Sequence, residues 1–289
     1  MKNIGYYNGR TGPVEEMMIP MNDRVVYFGD GVYDATYAVN HVIFALEDHI
    51  DRFYGSFSKL EIPFALSKEE FAKVLQETVD KVDDSVSLMV YWQTTRGTGM
   101  RDHVFPDKDV PANLYIIVRP VPLRDINRKY KLITVEDTRF FHCDIKTLNL
   151  IPSVMASQRA KESGCDEAVF HRGEIVTECA HSNISIIKDG AFITAPLSNL
   201  ILPGTARKHL IRLAEKVGIP AKETTFTVAE LMDADEIIIS SSGTLCNAVT
   251  EIDGKEVGGN APKVLKALQD ACVTDFEDYT KVKFSDYAK

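Results

Sequence analysis

The run Cys143-Asp144-Ile145-Lys146-Thr147-Leu148-Asn149-Leu150 sets one lysine among apolar neighbours, with Asp144 as its nearest acid in sequence. An amine held against Ile145, Leu148, Leu150 and Ile151 loses hydration, which disfavours the ammonium form. The neutral amine carries a lone pair that attacks carbonyl carbon, so the pattern suits Schiff-base chemistry. In isolation it describes equally well a strand-end lysine whose head reaches water. The decision rests on what else the chain carries.

Positioning such a lysine takes elements, and the periodicities supply them. Ile50, Phe53, Phe57 and Leu60 recur at helical spacing and predict a helix over Asp48–Leu60. Ser67-Lys68-Glu69-Glu70 reads as a capping box, followed by Phe71, Val74, Leu75, Val79 and Val82 on one face. Val86–Thr95 and Leu114–Val118 are β-rich. Pro120-Val121-Pro122-Leu123-Arg124-Asp125 breaks both periodicities. We therefore expect two domains, residues 1–119 and 127–289, joined by a linker at 120–126.

The second half is rich in hairpin signals. Glu167–Phe170 and Glu174–Thr177 flank Arg172-Gly173, Ile184–Ile187 and Ala191–Thr194 flank Asp189-Gly190, and Val249–Ile252 runs into Asp253-Gly254. Helices are expected at Ser153–Ser163, Thr205–Val217 and Lys263–Thr280, with a shorter one capped by Thr227 and Glu230. Strands joined by both hairpins and helices predict an α/β (α+β) fold with mixed, largely antiparallel sheets.

Composition narrows the function classes. At 289 residues, 45% hydrophobic and 26% charged, the chain has the make-up of a globular protein with a real core. A net charge of −9 and the lack of a lysine/arginine block make nucleic acid and anionic membranes poor partners. Five widely spaced cysteines without a CxxC pair argue for free thiols and against a zinc site or disulfide frame. The N-terminal residues lack the apolar stretch of a signal peptide, and no run is long enough to span a bilayer. The expected setting is the cytoplasm.

The motifs in order carry a resemblance. They are Asp23-Arg24, Phe28-Gly29-Asp30-Gly31-Val32-Tyr33, His49-Ile50-Asp51-Arg52 and the Lys146 run. Val176-Thr177-Glu178 with Ser182-Asn183, Leu202-Pro203-Gly204-Thr205-Ala206-Arg207 and Ser240-Ser241-Ser242-Gly243-Thr244 follow. Nearly end to end, the chain resembles the fold-type IV pyridoxal-phosphate enzymes. That group includes D-amino acid aminotransferases, branched-chain aminotransferases and aminodeoxychorismate lyases. The resemblance implies that Lys146 bonds covalently to pyridoxal 5'-phosphate and later shuttles the substrate α-proton. Glu178 would face the pyridine nitrogen and keep it protonated. Arg52 would meet the phosphate, with Thr205 and Ala206 at a helix N-terminus and Ser241, Ser242, Gly243 and Thr244 completing the cup.

Arg96-Gly97-Thr98-Gly99-Met100-Arg101-Asp102-His103 is similar to the loop of D-amino acid aminotransferases that supplies an arginine and a histidine. With Tyr33, Arg101 and His103 would form the trap for the substrate carboxylate. In that group the loop crosses to the neighbouring subunit, which implies a homodimer. The expectation is transamination of D-amino acids such as D-alanine or D-glutamate with a 2-oxo acid acceptor. The alternatives are a lyase or a branched-chain activity on the same scaffold. Two positions depart from the pattern. Asp34 replaces a more usual glutamate, shortening an acidic arm expected near Tyr33. His181 stands where small serine-rich residues are common, either narrowing the pocket or packed with its nitrogens satisfied.

Overall fold

Alternating burial along one long strand organises the first half of the molecule. The computed structural model describes residues 2–82 and 86–289. Its first sheet comprises β1 (Ile4–Tyr7), β2 (Arg10–Gly12), β3 (Gly31–Val39), β4 (Val42–Ile43), β5 (Leu88–Thr95) and β6 (Asn113–Pro120). The order is β2-β1-β6-β5-β3-β4, with every pair antiparallel. A short helix, α1 (Arg24–Phe28), precedes β3, and α2 (Leu46–Lys59) and α3 (Lys68–Val79) cover one face. Phe53, Phe57, Phe71 and Leu75 from these helices pack on Val32, Ala38, Val90 and Trp92. Successive residues of a strand point to opposite faces, so Tyr33, Ala35 and Tyr37 are turned away from that core.

Local signals place the helix starts well. Ser67 accepts the Glu70 N–H and Glu70 returns the bond, completing the expected capping box. Thr227 and Glu230 do the same for α6 (Val228–Met232). α2 begins at Leu46, one half-turn before the expected Asp48.

The second sheet contains β7 (Tyr130–Glu136), β8 (Glu167–Arg172), β9 (Ile175–Cys179), β10 (Asn183–Lys188), β11 (Ala191–Thr194), β12 (Ala221–Glu223), β13 (Glu236–Ser241), β14 (Thr244–Ile252) and β15 (Lys255–Glu256). Its path is β12-β11-β10-β13-β14-β7-β8-β9, with β15 on β14. Hairpin pairs are antiparallel, whereas β7 pairs in parallel with β8 and β14, and β11 with β12. The sheet is thus mixed. Helices α4 (Ile151–Glu162), α5 (Thr205–Lys216) and α7 (Pro262–Thr280) complete this half.

The halves share a core. Leu210 and Leu213 of α5 and Leu268 and Phe276 of α7 pack with Tyr37, Val39 and Phe44 from the first half. The connecting segment is tied down. Leu123 N–H donates to Tyr287 O at 3.0 Å and Leu123 O accepts from Lys289 N–H at 2.8 Å. Asn247 Nδ2 donates to Asp125 O at 2.9 Å.

Candidate active site

The lysine segment docks on the start of β3. Tyr33 N–H donates to Lys146 O at 2.9 Å, and Leu148 N–H donates to Gly31 O at 3.1 Å. Gly31 permits that approach, because a Cβ there would lie 2.5 Å from Thr94 O and 2.8 Å from Leu148 Cδ1. The result places Lys146 Nζ 4.3 Å from the Tyr33 ring centre. Asp144, its acidic neighbour in sequence, turns away to Lys59 at 2.6 Å. The amine therefore faces a cavity of about 320 Å³ between the two sheets.

Glu178 reaches the same cavity from β9 and is buried. Its Oε1 accepts from Arg139 Nη1 at 2.5 Å, and its Oε2 from Asn183 Nδ2 at 2.9 Å and Leu202 N–H at 3.0 Å. Arg139 is gripped in turn by fully buried Asp137, with Nε and Nη2 each donating at 2.9 Å. Burial pushes Glu178 up to about 7, against the pull of Arg139. A small electrostatic input, such as a pyridine N–H⁺, then suffices to ionise it. The sequence reading missed Asp137 and Arg139. Their signal is an alternate-residue pair just after a β-rich run, which puts both side chains on one face.

The opposite end gathers donors suited to phosphate. Arg52 on α2 donates through Nε and Nη2 to Asp34 at 2.8 and 2.7 Å, and His49 Nδ1 lies 2.8 Å from the same carboxylate. Burial works against ionisation of Asp34, but Arg52 and His49 outweigh it and hold the carboxyl well below the usual range. The expected acidic arm beside Tyr33 is corrected here. Asp34 is the next residue along β3, so it points to the other face and anchors Arg52 instead. α5 opens at Thr205 behind Gly204, and no side chain caps it. Its first-turn N–H groups are thus available to an anion. Gly204 lets the helix start pack against Asn183, since a Cβ there would sit 1.9 Å from Asn183 Oδ1.

Ser241, Ser242 and Gly243 line the cavity at the turn between β13 and β14, beside Thr205 and Ala206. Ser240 also lines it, and its buried hydroxyl has no hydrogen-bond partner among the described residues. Thr244 is behind the wall, with its Oγ1 2.7 Å from Ser241 Oγ. Amine, buried carboxyl, guanidinium, hydroxyls and open N–H groups are the donor set a pyridoxal phosphate requires. The residues fit it.

Arg101 and His103 do not line this cavity. They sit on an exposed loop, each flanking the Phe28 ring at 5.3 Å. Arg24 fastens the loop by donating Nη1 to Asp102 O at 2.8 Å. Apolar side chains around it are open to solvent, Met100 at 82% and Val104 at 71%. His181 lines the cavity, half exposed, while its Nδ1 lies 3.2 Å from Glu167. His181 thus narrows the cavity while one of its ring nitrogens meets a buried carboxylate.

Residues 31–252 match the family described as amino-transferase class IV. The D-alanine aminotransferase of Listeria monocytogenes is 42% identical over 262 residues, covering 88% of this chain and 90% of that protein. The D-alanine aminotransferase of Staphylococcus haemolyticus is 38% identical over 268 residues, covering 92% and 95%. Among solved structures, the Escherichia coli branched-chain amino acid aminotransferase superposes with a TM-score of 0.87 at 21% identity, covering 100% of this chain and 99% of that one. That last likeness speaks to the fold alone. The chain belongs to the class IV aminotransferases, enzymes that work with pyridoxal phosphate.

Proposed function

We propose that this enzyme transaminates D-amino acids, with D-alanine a principal donor and a 2-oxo acid as acceptor. The supporting observation is the Lys146 amine over Tyr33, in the cavity that Glu178 also lines, in a chain 42% identical to a D-alanine aminotransferase. When bound, pyridoxal 5'-phosphate supplies an electron-withdrawing ring that eases removal of the substrate α-proton. Arg52, the N–H groups of Thr205 and Ala206, and the hydroxyls of Ser241 and Ser242 would hold its phosphate. Glu178 would hold the proton on its pyridine nitrogen, and Arg139 would keep that carboxylate oriented. Lys146 would take the proton from the α-carbon of the donor amino acid and pass it to the cofactor. In the second half-reaction it would deliver a proton to the α-carbon of the acceptor from the same face, which gives one handedness.

The substrate carboxylate would meet Tyr33 from this chain, and Arg101 and His103 from a second copy. The position of the loop on the exposed surface, with Met100 and Val104 beside it, supports a homodimer with shared sites. We read residues 1–119 and 127–289 as two domains and 120–126 as their fixed joint. Five free thiols support a cytoplasmic setting.

Mixing the holoenzyme with D-alanine or with L-leucine tests the reading. Conversion of the bound cofactor to its amine form by D-alanine, followed in the absorption spectrum, is expected. Conversion by L-leucine alone would replace it with a branched-chain activity. Pyruvate release from aminodeoxychorismate without an amino acceptor would replace it with a lyase.

A further inference from the structure

The cations of the cavity are unequally engaged. Arg52 is paired with Asp34, and Arg139 with Asp137 and Glu178. Lys146 is reserved for proton transfer in the reading above. Arg124 also lines the cavity, yet forms no ion pair among the described residues. Among the described residues its one side-chain hydrogen bond runs from Nη1 to Tyr130 Oη at 3.0 Å. A guanidinium has five N–H donors in a planar fork, so a face suited to carboxylate is left over. The acid whose field it feels, Glu167, is committed elsewhere. Its oxygens accept from His181 N–H at 2.7 Å and Ser182 Oγ at 3.0 Å.

Place and rigidity support a ligand role. Tyr33, Ala35 and Tyr37 form one row along the cavity floor. Tyr33 lies under Lys146, and Tyr37 and Arg124 line the same cavity. The two tyrosines are four positions apart along the strand, about 13 Å at the usual rise. A chain of five carbons ending in two carboxylates covers about half of that row, and donors reaching in from both ends cover the rest. The Arg124 backbone is clamped on both sides, by Leu123 to the C-terminal residues Tyr287 and Lys289, and by Ile126 O to Gln269 Nε2 at 2.9 Å.

We propose that Arg124 is a specificity-determining residue that binds the distal carboxylate of a dicarboxylic substrate, as in glutamate and 2-oxoglutarate. The α-carboxylate then lies at the Tyr33 end and the side chain runs along Ala35 to Tyr37. This inference rests on the transaminase reading but adds a residue and a direction for the substrate.

The test compares binding of glutarate and butyrate, which differ only by one terminal carboxylate, to the holoenzyme by calorimetry. Wild type is expected to prefer glutarate, and Arg124→Gln to lose that preference by about tenfold or more while butyrate affinity stays put. Arg124→Lys should retain part of it, which separates charge from folding. In turnover, Arg124→Gln should lower kcat/KM for D-glutamate by about tenfold and leave D-alanine within about threefold. Equal losses for both substrates, or for neither, would overturn the assignment, as would a wild type indifferent to the second carboxylate. A wild type inactive on every D-amino acid would sink the transaminase reading instead, and the glutarate preference would still report on Arg124.

Discussion

Glu178 and Arg139 meet at 2.5 Å inside the protein, yet the carboxyl still titrates near 7 because burial outweighs the ion pair. A carboxyl raised above its ordinary value favours the protonated folded state. The stability it lends is complete below about 4.5 and is lost as pH rises through about 7. Cofactor-free wild type should therefore lose stability relative to Glu178→Gln between acid and alkaline conditions. Urea midpoints measured at both ends of that window check the sign. With cofactor bound, the same substitution should cut kcat by roughly 10²–10³-fold, as loss of an aligned charge does elsewhere.

Asp34 holds both Arg52 and His49 from a fully buried position. Removing one member leaves the other charges buried without a partner. Asp34→Ala should cost about 3–5 kcal/mol in denaturant unfolding. It should also weaken binding of pyridoxal 5'-phosphate more than binding of pyridoxal, because Arg52 loses its anchor. Equal weakening of both would detach Asp34 from the phosphate end.

His209 ties α5 to both neighbours, with Nε2 2.7 Å from Asp48 and Nδ1 3.4 Å from Asp275. Burial favours the neutral ring, but the two carboxylates outweigh it and raise the histidine above its ordinary value. Lys208 and Arg212 share the same acids and temper the effect. The contribution is complete below about 6.5 and fades as pH climbs through the raised value. Thermal unfolding should show His209→Ala losing about 1 kcal/mol more at pH 6 than at pH 9.

A shared site makes a distinctive prediction for mixed subunits. Lys146→Ala should lower turnover by about 10³-fold or more through loss of the proton carrier. Arg101→Ala should raise KM severely while the cofactor stays bound. Neither variant is active alone, but after exchange of subunits roughly a quarter of the sites combine an intact Lys146 with a partner's intact Arg101. Recovery of that activity is expected. If mixing restores nothing, the carboxylate trap does not cross between copies.

Much of this site is legible in the chain because its signals are short-range. The Lys146 run, the Ser67–Glu70 cap, the helix opening at Thr205 and the serine turn after β13 each depend on residues a few positions apart. Backbone geometry converts such spacings directly into local structure. The partners of those residues were decided by tertiary contacts. Asp34 grips Arg52 rather than flanking Tyr33 because strand pairing sets which face of β3 meets α2. Arg139 reaches Glu178 across 39 residues of chain, and the backbone on either side of Arg124 is bonded to Tyr287 and Lys289, more than 160 positions away. Strand register and long-range clamping depend on how distant segments pack, and no window of sequence contains that information.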